Sequence, residues 1–133
     1  MATLFEKLNL KDHQELLVLN APQSFEPELA RLPAIAIHRR IESVPEVRFS
    51  LAFVTRKSEV DSLAPQIAAR AKGDAIVWFA YPKGTSKKFK CDFNRDTGWD
   101  ALNAAGFDTV RAVAIDEDWT ALRFRRKEFI KSR

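Results

Sequence analysis

Chemical capacity in this chain is concentrated in two stretches. Positions 82–95 hold Lys83, Ser86, Lys87, Lys88, Lys90 and Arg95 around a lone acid, Asp92. Ammonium groups are point-charge anion binders, so Lys83 with Ser86 and Lys87 could receive a phosphate or a carboxylate. A basic loop that merely solvates has the same composition. The second stretch is Asp116-Glu117-Asp118-Trp119. Paired carboxylates can act as a general base or hold a hard cation. Trp119 could stack on a base or cap an apolar pocket. The plainer alternatives are an aspartate that caps its own turn and a tryptophan packed on its hairpin partner.

Elsewhere reactive groups are sparse. His13 and His38 have no serine or cysteine companion from which a nucleophile–base pair could be read. Cys91 is the only cysteine, which excludes an intrachain disulfide and leaves a cysteine-based zinc site without ligands. It lies among Lys87, Lys88 and Lys90, a setting that could lower a thiol pKa, although an incidental loop thiol fits as well. No Walker loop and no Rossmann glycine fingerprint occurs.

Charge is uneven. Over the 133 residues the formal net charge is +4, yet positions 82–95 and 123–133 together carry +9 and the remainder −5. Such patches attract small anions, nucleic acid or acidic protein partners. The aromatic residues are spaced as core rather than as an exposed stacking row, which disfavours nucleic acid. Nothing resembles a signal peptide or an 18-residue apolar span, so a cytoplasmic protein without a membrane segment is expected.

The elements that must position these groups follow from hydrophobic periodicity. Leu4, Phe5 and Leu8 suggest a short helix capping a sheet. Positions 15–20, 34–37 (running weakly to Ile41), 47–55 and 74–81 are apolar runs that read as strands buried on both faces. Ser24 is the expected N-cap of a helix over 25–32, with Pro27 in its first turn. Ser58 with Asp61 suggests a capping box that opens a helix along Val60, Leu63, Ala64, Ile67 and Ala71. Pro65 should kink that helix or delay its start, and Gly73 should stop it. Asp96 or Thr97 should cap a helix that Gly106 closes. Positions 109–115 and 119–126 form a closing hairpin. The fold class is α/β: one domain over 1–133 with three layers, a Rossmann-like, mostly parallel sheet and a C-terminal antiparallel hairpin. The last strand is expected at a sheet edge, where a homodimer could pair, with Arg123, Arg125 and Arg126 guarding it.

The second half, with strand ends at Ala52-Phe53-Val54-Thr55 and Tyr81-Pro82-Lys83 and a terminal hairpin after Ala105-Gly106-Phe107, resembles class I S-adenosylmethionine-dependent methyltransferases in element order. Three stretches, 17–22, 78–83 and 115–122, followed by Arg125-Arg126, resemble an uncharacterised bacterial family known as a domain of unknown function. The resemblance implies a methyltransferase-like fold and carries no established activity. The chain departs from active methyltransferases after its first strand, where Asn20-Ala21-Pro22-Gln23-Ser24-Phe25 contains no glycine and Pro22 lacks a backbone N–H. Glu42 is the remaining candidate for the acid that would hold a ribose. S-adenosylmethionine in the usual pose is therefore not expected.

Ligands of open α/β sheets bind beyond the carboxyl ends of the parallel strands. That rule collects Asn20, Gln23, Thr55, Arg56, Tyr81, Lys83, Ser86, Asp116, Glu117 and Trp119 as candidate site residues. The expected function is a non-catalytic binding or regulatory module for a small anion or a protein partner, on a degenerate methyltransferase-like scaffold. The alternatives are a divergent methyltransferase and a nucleic-acid or anion binder acting through the basic loop 82–95 and tail 123–133.

Overall fold

Apolar runs without alternation form the central strands, because a strand sandwiched between helices has no solvent face. The computed structural model describes residues 4–8, 10, 14–32, 35–93 and 97–130. The strands are β1 (Glu15–Leu19), β2 (Ala36–His38), β3 (Val47–Phe53), β4 (Ala71–Pro82), β5 (Phe107–Ala114) and β6 (Trp119–Arg126). The helices are α1 (Leu4–Lys7), α2 (Glu26–Ala30), α3 (Lys57–Arg70) and α4 (Asp100–Ala104). One sheet has the order β2-β1-β3-β4-β6-β5, with β2, β1, β3 and β4 parallel and β6 antiparallel to both its neighbours. This is a reduced Rossmann-like α/β fold.

Two cores flank the sheet. On one face Val60, Ala64 and Ile67 of α3 and Leu102 of α4 pack with Leu17, Leu19, Val77, Phe79, Leu122 and Phe124. On the other, Phe5 of α1 and Leu29 of α2 pack with Leu16, Val18, Phe49, Leu51, Phe53, Trp78 and Trp119. Trp78 is fully buried, and its indole Nε1 donates to Leu8 O at 2.9 Å. That bond ties α1 to the sheet centre and satisfies a donor that would be costly to bury alone.

Several local expectations give way to tertiary context. The last strand is not an edge: β6 inserts between β4 and β5, which leaves β5 and β2 as the edges. The arginines of β6 therefore guard no edge, and homodimer pairing through that strand is excluded. Ser24 caps nothing; it lies in a 3-10 turn over Gln23–Phe25, and α2 starts after Phe25. The opening of α3 is two residues ahead of the Ser58/Asp61 reading. Glu59 Oε1 accepts from Thr55 N (2.8 Å) and Arg56 N (3.1 Å), which makes Arg56 the N-cap. The longer glutamate arm at the third helical position reaches both orphan donors, which Asp61 is too far along to do. The helix runs through Pro65 and ends at Arg70. Gly73, at φ +57°, lies inside β4 where its register against β3 jumps, rather than at the helix stop. The strand predicted from 34 to Ile41 shortens to β2, and Ile41–Ser43 is a 3-10 turn. Asp96 and His13 lie outside the described residues; Trp99, rather than Thr97, holds the N-cap position of α4. Gly106 closes α4 as expected, at φ +94°.

Candidate anion pocket at the end of strand β4

Register places the expected residues along one edge of the sheet. Leu19 pairs with Ala52, Phe53 with Ala80, and Pro82 with Trp119. Asn20, Thr55, Lys83 and the β5–β6 turn therefore follow one another beyond the strand ends. Of the expected residues, Tyr81, Lys83 and Ser86 line one cavity.

The chain order reverses between β1 and β3, so a Rossmann-like ligand would lie beyond those two strands. There the backbone turns through Asn20, whose φ is +59°. A short polar side chain tolerates that left-handed conformation where glycine is absent. Pro22 supplies a carbonyl that accepts from Phe25 N at 2.9 Å. Phe25 is 2% exposed and stands 4.9 Å from Phe53 and 5.9 Å from Phe5, ring centre to ring centre. The three rings pack together in the core on the α1–α2 face of the sheet. Gln23 is exposed. Glu42 is exposed and ion-pairs with Arg40 at 3.7 Å, an arrangement with no bearing on a ribose.

The chain after β4 straddles the sheet end. Phe89 turns to one face and stacks on Trp119 at 4.9 Å; Phe93 turns to the other and meets Trp99 at 4.9 Å and Tyr81 at 6.0 Å. Between them lies a cavity of about 350 Å³, lined among others by Tyr81, Lys83, Ser86, Phe89, Lys90 and Cys91. That size suits a small organic ligand.

Ser86 organises this loop. Its Oγ donates to Asp118 Oδ1 (2.9 Å) and accepts from Phe89 N (3.1 Å) and Lys88 N (3.3 Å). Lys83 N donates to Asp118 O at 2.8 Å. The acidic turn therefore braces the basic loop. Asp92 fixes the far end: its Oδ1 accepts from Lys57 N at 2.7 Å and its N–H donates to Thr55 O at 3.3 Å. A carboxylate at the first turn of α3 also complements the helix dipole. The sequence reading passed over Asp92, although a lone acid in a basic run was the available signal.

The remaining candidates take structural roles. Asp116 Oδ1 accepts from Asp118 N (2.8 Å) and Trp119 N (2.9 Å), which is turn chemistry. No group of three His, Cys, Asp or Glu residues able to hold a metal occurs among the described residues. Thr55 Oγ1 donates to Glu59 at 3.2 Å and belongs to the α3 cap. Trp119 is 3% exposed, edge-on to Phe53 at 5.1 Å, and so offers no open face for stacking. Burial pushes the Cys91 thiol pKa up, and the carboxylates of Asp92 and Glu59 add to that. Desolvation prevails over the lysines nearby in sequence, in keeping with an incidental loop thiol. His38 lies 3.4 Å from Glu15 at the other end of β1, away from this pocket. Among the described residues, Lys83, Lys87, Lys88 and Lys90 have no ion-pair partner.

The basic tail resolves differently. Arg126 donates to Ala71 O (2.7 Å) and Ala68 O (3.0 Å) and lies over the Phe107 ring, stitching α3 to β5. Arg125 pairs with Asp74. No helix among the described residues is long and apolar enough to cross a membrane.

No family model and no curated protein sequence matches the chain. Solved structures do. The fibrillarin pre-rRNA processing protein of Methanococcus jannaschii aligns over 89% of this chain and 68% of its own, at 12% identity and a TM-score of 0.57. The N-methyltransferase NodS of Bradyrhizobium japonicum WM9 aligns over 91% of each chain, at 13% identity and a TM-score of 0.53. The pyocyanin biosynthetic protein PhzM covers 91% of this chain and 53% of its own, at 10% identity and a TM-score of 0.52. At these identities the likeness is one of fold, and the fold of this chain is methyltransferase-like.

Proposed function

We propose that this chain is a non-catalytic binding module for a small organic anion, built on a methyltransferase-like scaffold. The observation that carries this reading is a division of the sheet edge. The stretch after β1 has no glycine and packs Phe25 on Phe53, while the cavity beyond β4 combines aromatic walls with the ammonium groups of Lys83 and Lys90, which have no ion-pair partner among the described residues. A ligand with a planar ring and a phosphate or carboxylate matches both features. Asp116 and Asp118 are engaged in the braced turn and Glu59 in the cap of α3, which supports binding rather than turnover.

Adenosine monophosphate is the probe, because it joins a planar ring to a phosphate. Calorimetric titration should give micromolar to millimolar binding that is weakened about tenfold in Lys83→Ala, the loss of roughly one charged hydrogen bond. No heat with the wild-type protein, or equal binding by both proteins, overturns the assignment. The fold likeness favours a second reading, a divergent S-adenosylmethionine-dependent methyltransferase. Its probe is S-adenosylhomocysteine, and micromolar binding of that molecule would replace the first reading with the second.

A further inference from the structure

At the end of the sheet away from the β4 pocket, β1 and β3 part. Both strands run on past their shared ladder: β1 starts at Glu15 and β3 at Val47, yet the pairing between them begins at Leu17–Ser50. Counting back two residues on each strand sets Glu15 opposite Arg48, a place where opposite charges on neighbouring strands attract. Each takes another partner instead. Glu15 meets His38 at 3.4 Å, and Arg48 meets Glu46 at 2.9 Å. The space between is a cavity of about 320 Å³, lined among others by Glu15, His38, Ser43, Glu46 and Arg48. A hollow of about 20 Å³ shares the walls at Glu15, His38, Glu46 and Arg48 and adds the buried Leu17 and Val47.

Both signs of charge are open to a ligand here. The side chains of Glu15 and Arg48 are 69% and 70% exposed. The contact of Glu15 with His38 is long, and it is an ion pair only when the imidazole is protonated. Arg48 and Glu46 are two residues apart on the surface, and exposed pairs of that kind add little to stability, so a ligand can take Arg48 over at small cost. A bare anion in the cavity faces the carboxylates of Glu15 and Glu46; a bare cation faces Arg48. A metal ion finds no group of three His, Cys, Asp or Glu residues able to hold it among the described residues. A molecule that carries an ammonium and a carboxylate a few bonds apart meets both walls. The 20 Å³ hollow admits one group about the size of a water molecule or a methyl.

We propose that the cavity between the starts of β1 and β3 binds a small α-amino acid as its zwitterion, at a site independent of the pocket at the end of β4. The carboxylate lies on the guanidinium of Arg48 and the ammonium on the carboxylate of Glu15. A methyl-sized side chain enters the hollow beside Leu17 and Val47. The ligand bridges two charges that the parting of the strands keeps from each other.

L-alanine is the probe, titrated into the isotope-labelled full chain and followed by amide chemical shifts. Shifts at Glu15 and over 44–48 should saturate with a Kd of about 1 mM or tighter. Ethylamine and propionate each carry one of the two charges, and each should bind at least about tenfold more weakly. Glu15→Gln and Arg48→Gln should each weaken L-alanine binding about tenfold. Arg31→Gln, which removes an exposed ion pair with Glu28 elsewhere, should leave it unchanged. Both replaced side chains at the cavity are exposed, so the variants should keep the fold, which unchanged amide shifts in α3 and β6 verify. Absence of a saturable shift by about 10 mM L-alanine overturns the site. Equal affinity for ethylamine or propionate, or wild-type affinity in either cavity variant, overturns it too. None of these residues lines the pocket at the end of β4, so the outcome is independent of adenosine monophosphate binding there.

Discussion

Truncating Phe25 to alanine tests how much the aromatic packing that follows β1 contributes to the core. Phe25 is 2% exposed and packs on Phe53 at 4.9 Å and Phe5 at 5.9 Å, in tilted geometry for both pairs. Removing a buried phenylalanine side chain costs about 3–5 kcal/mol through lost transfer energy and the cavity left behind. The two ring pairs place this site toward the upper end, since each adds roughly 0.5–1.5 kcal/mol beyond area. A domain of this size has about 5–15 kcal/mol in total, so the variant should fold but be visibly weakened. With a urea m-value of about 2 kcal/mol/M, a loss near 4 kcal/mol moves the midpoint down by about 2 M at unchanged m. Equilibrium urea unfolding followed by tryptophan fluorescence reads this directly. A midpoint lowered by less than about 0.5 M, equivalent to about 1 kcal/mol, would refute the packing argument. It would mean that the ring is dispensable to the core.

Other consequences concern the loop, one ion pair and one glycine. Ser86→Ala removes a donor to Asp118 and an acceptor for Lys88 N and Phe89 N. It should cost about 1–2 kcal/mol and speed amide exchange at Phe89; unchanged exchange would count against the bracing role. Asp74→Asn breaks the pair with Arg125, which holds the Asp74 carboxyl below its ordinary pKa of 3.8. A depressed carboxylate contributes stability above its unfolded pKa and loses it as the pH falls through the folded value. The half-exposed setting limits the loss to about 1 kcal/mol at pH 7. Unfolding curves of the two proteins should therefore differ at neutral pH and converge well below pH 3.8. Gly98 has φ +90°, and a Cβ there would stand 2.7 Å from Phe93 Cβ. Gly98→Ala should cost about 1–3 kcal/mol from backbone strain before any loss of the Phe93 packing, measurable as a lowered Tm.

Sequence alone determined the periodic elements. The runs at Leu16–Leu19, Leu51–Phe53 and Ala75–Ala80 have no alternation, and burial on both faces explains each of them. The absence of glycine after Asn20 and the presence of Pro22 were legible for the same reason: both act through the backbone of their own residue. The Asp116 turn and the hairpin pairing of Trp119–Arg126 were equally local. Tertiary structure decided what depends on partners distant in the chain. Glu59 rather than Ser58 opens α3 because its carboxylate competes for Thr55 N and Arg56 N, and the seam between strand and helix sets which reach succeeds. Cys91 lies among lysines in sequence but beside buried aromatics in space, so desolvation prevails over charge. The run of bases after Trp119 splits into a stitched Arg126, a paired Arg125 and an Arg123 whose buried Nε lacks a hydrogen bond. A strand alternates its side chains between faces, and only strand order determines what each face meets. Composition records that β6 is basic; the insertion of β6 between β4 and β5 determines which of its charges are satisfied.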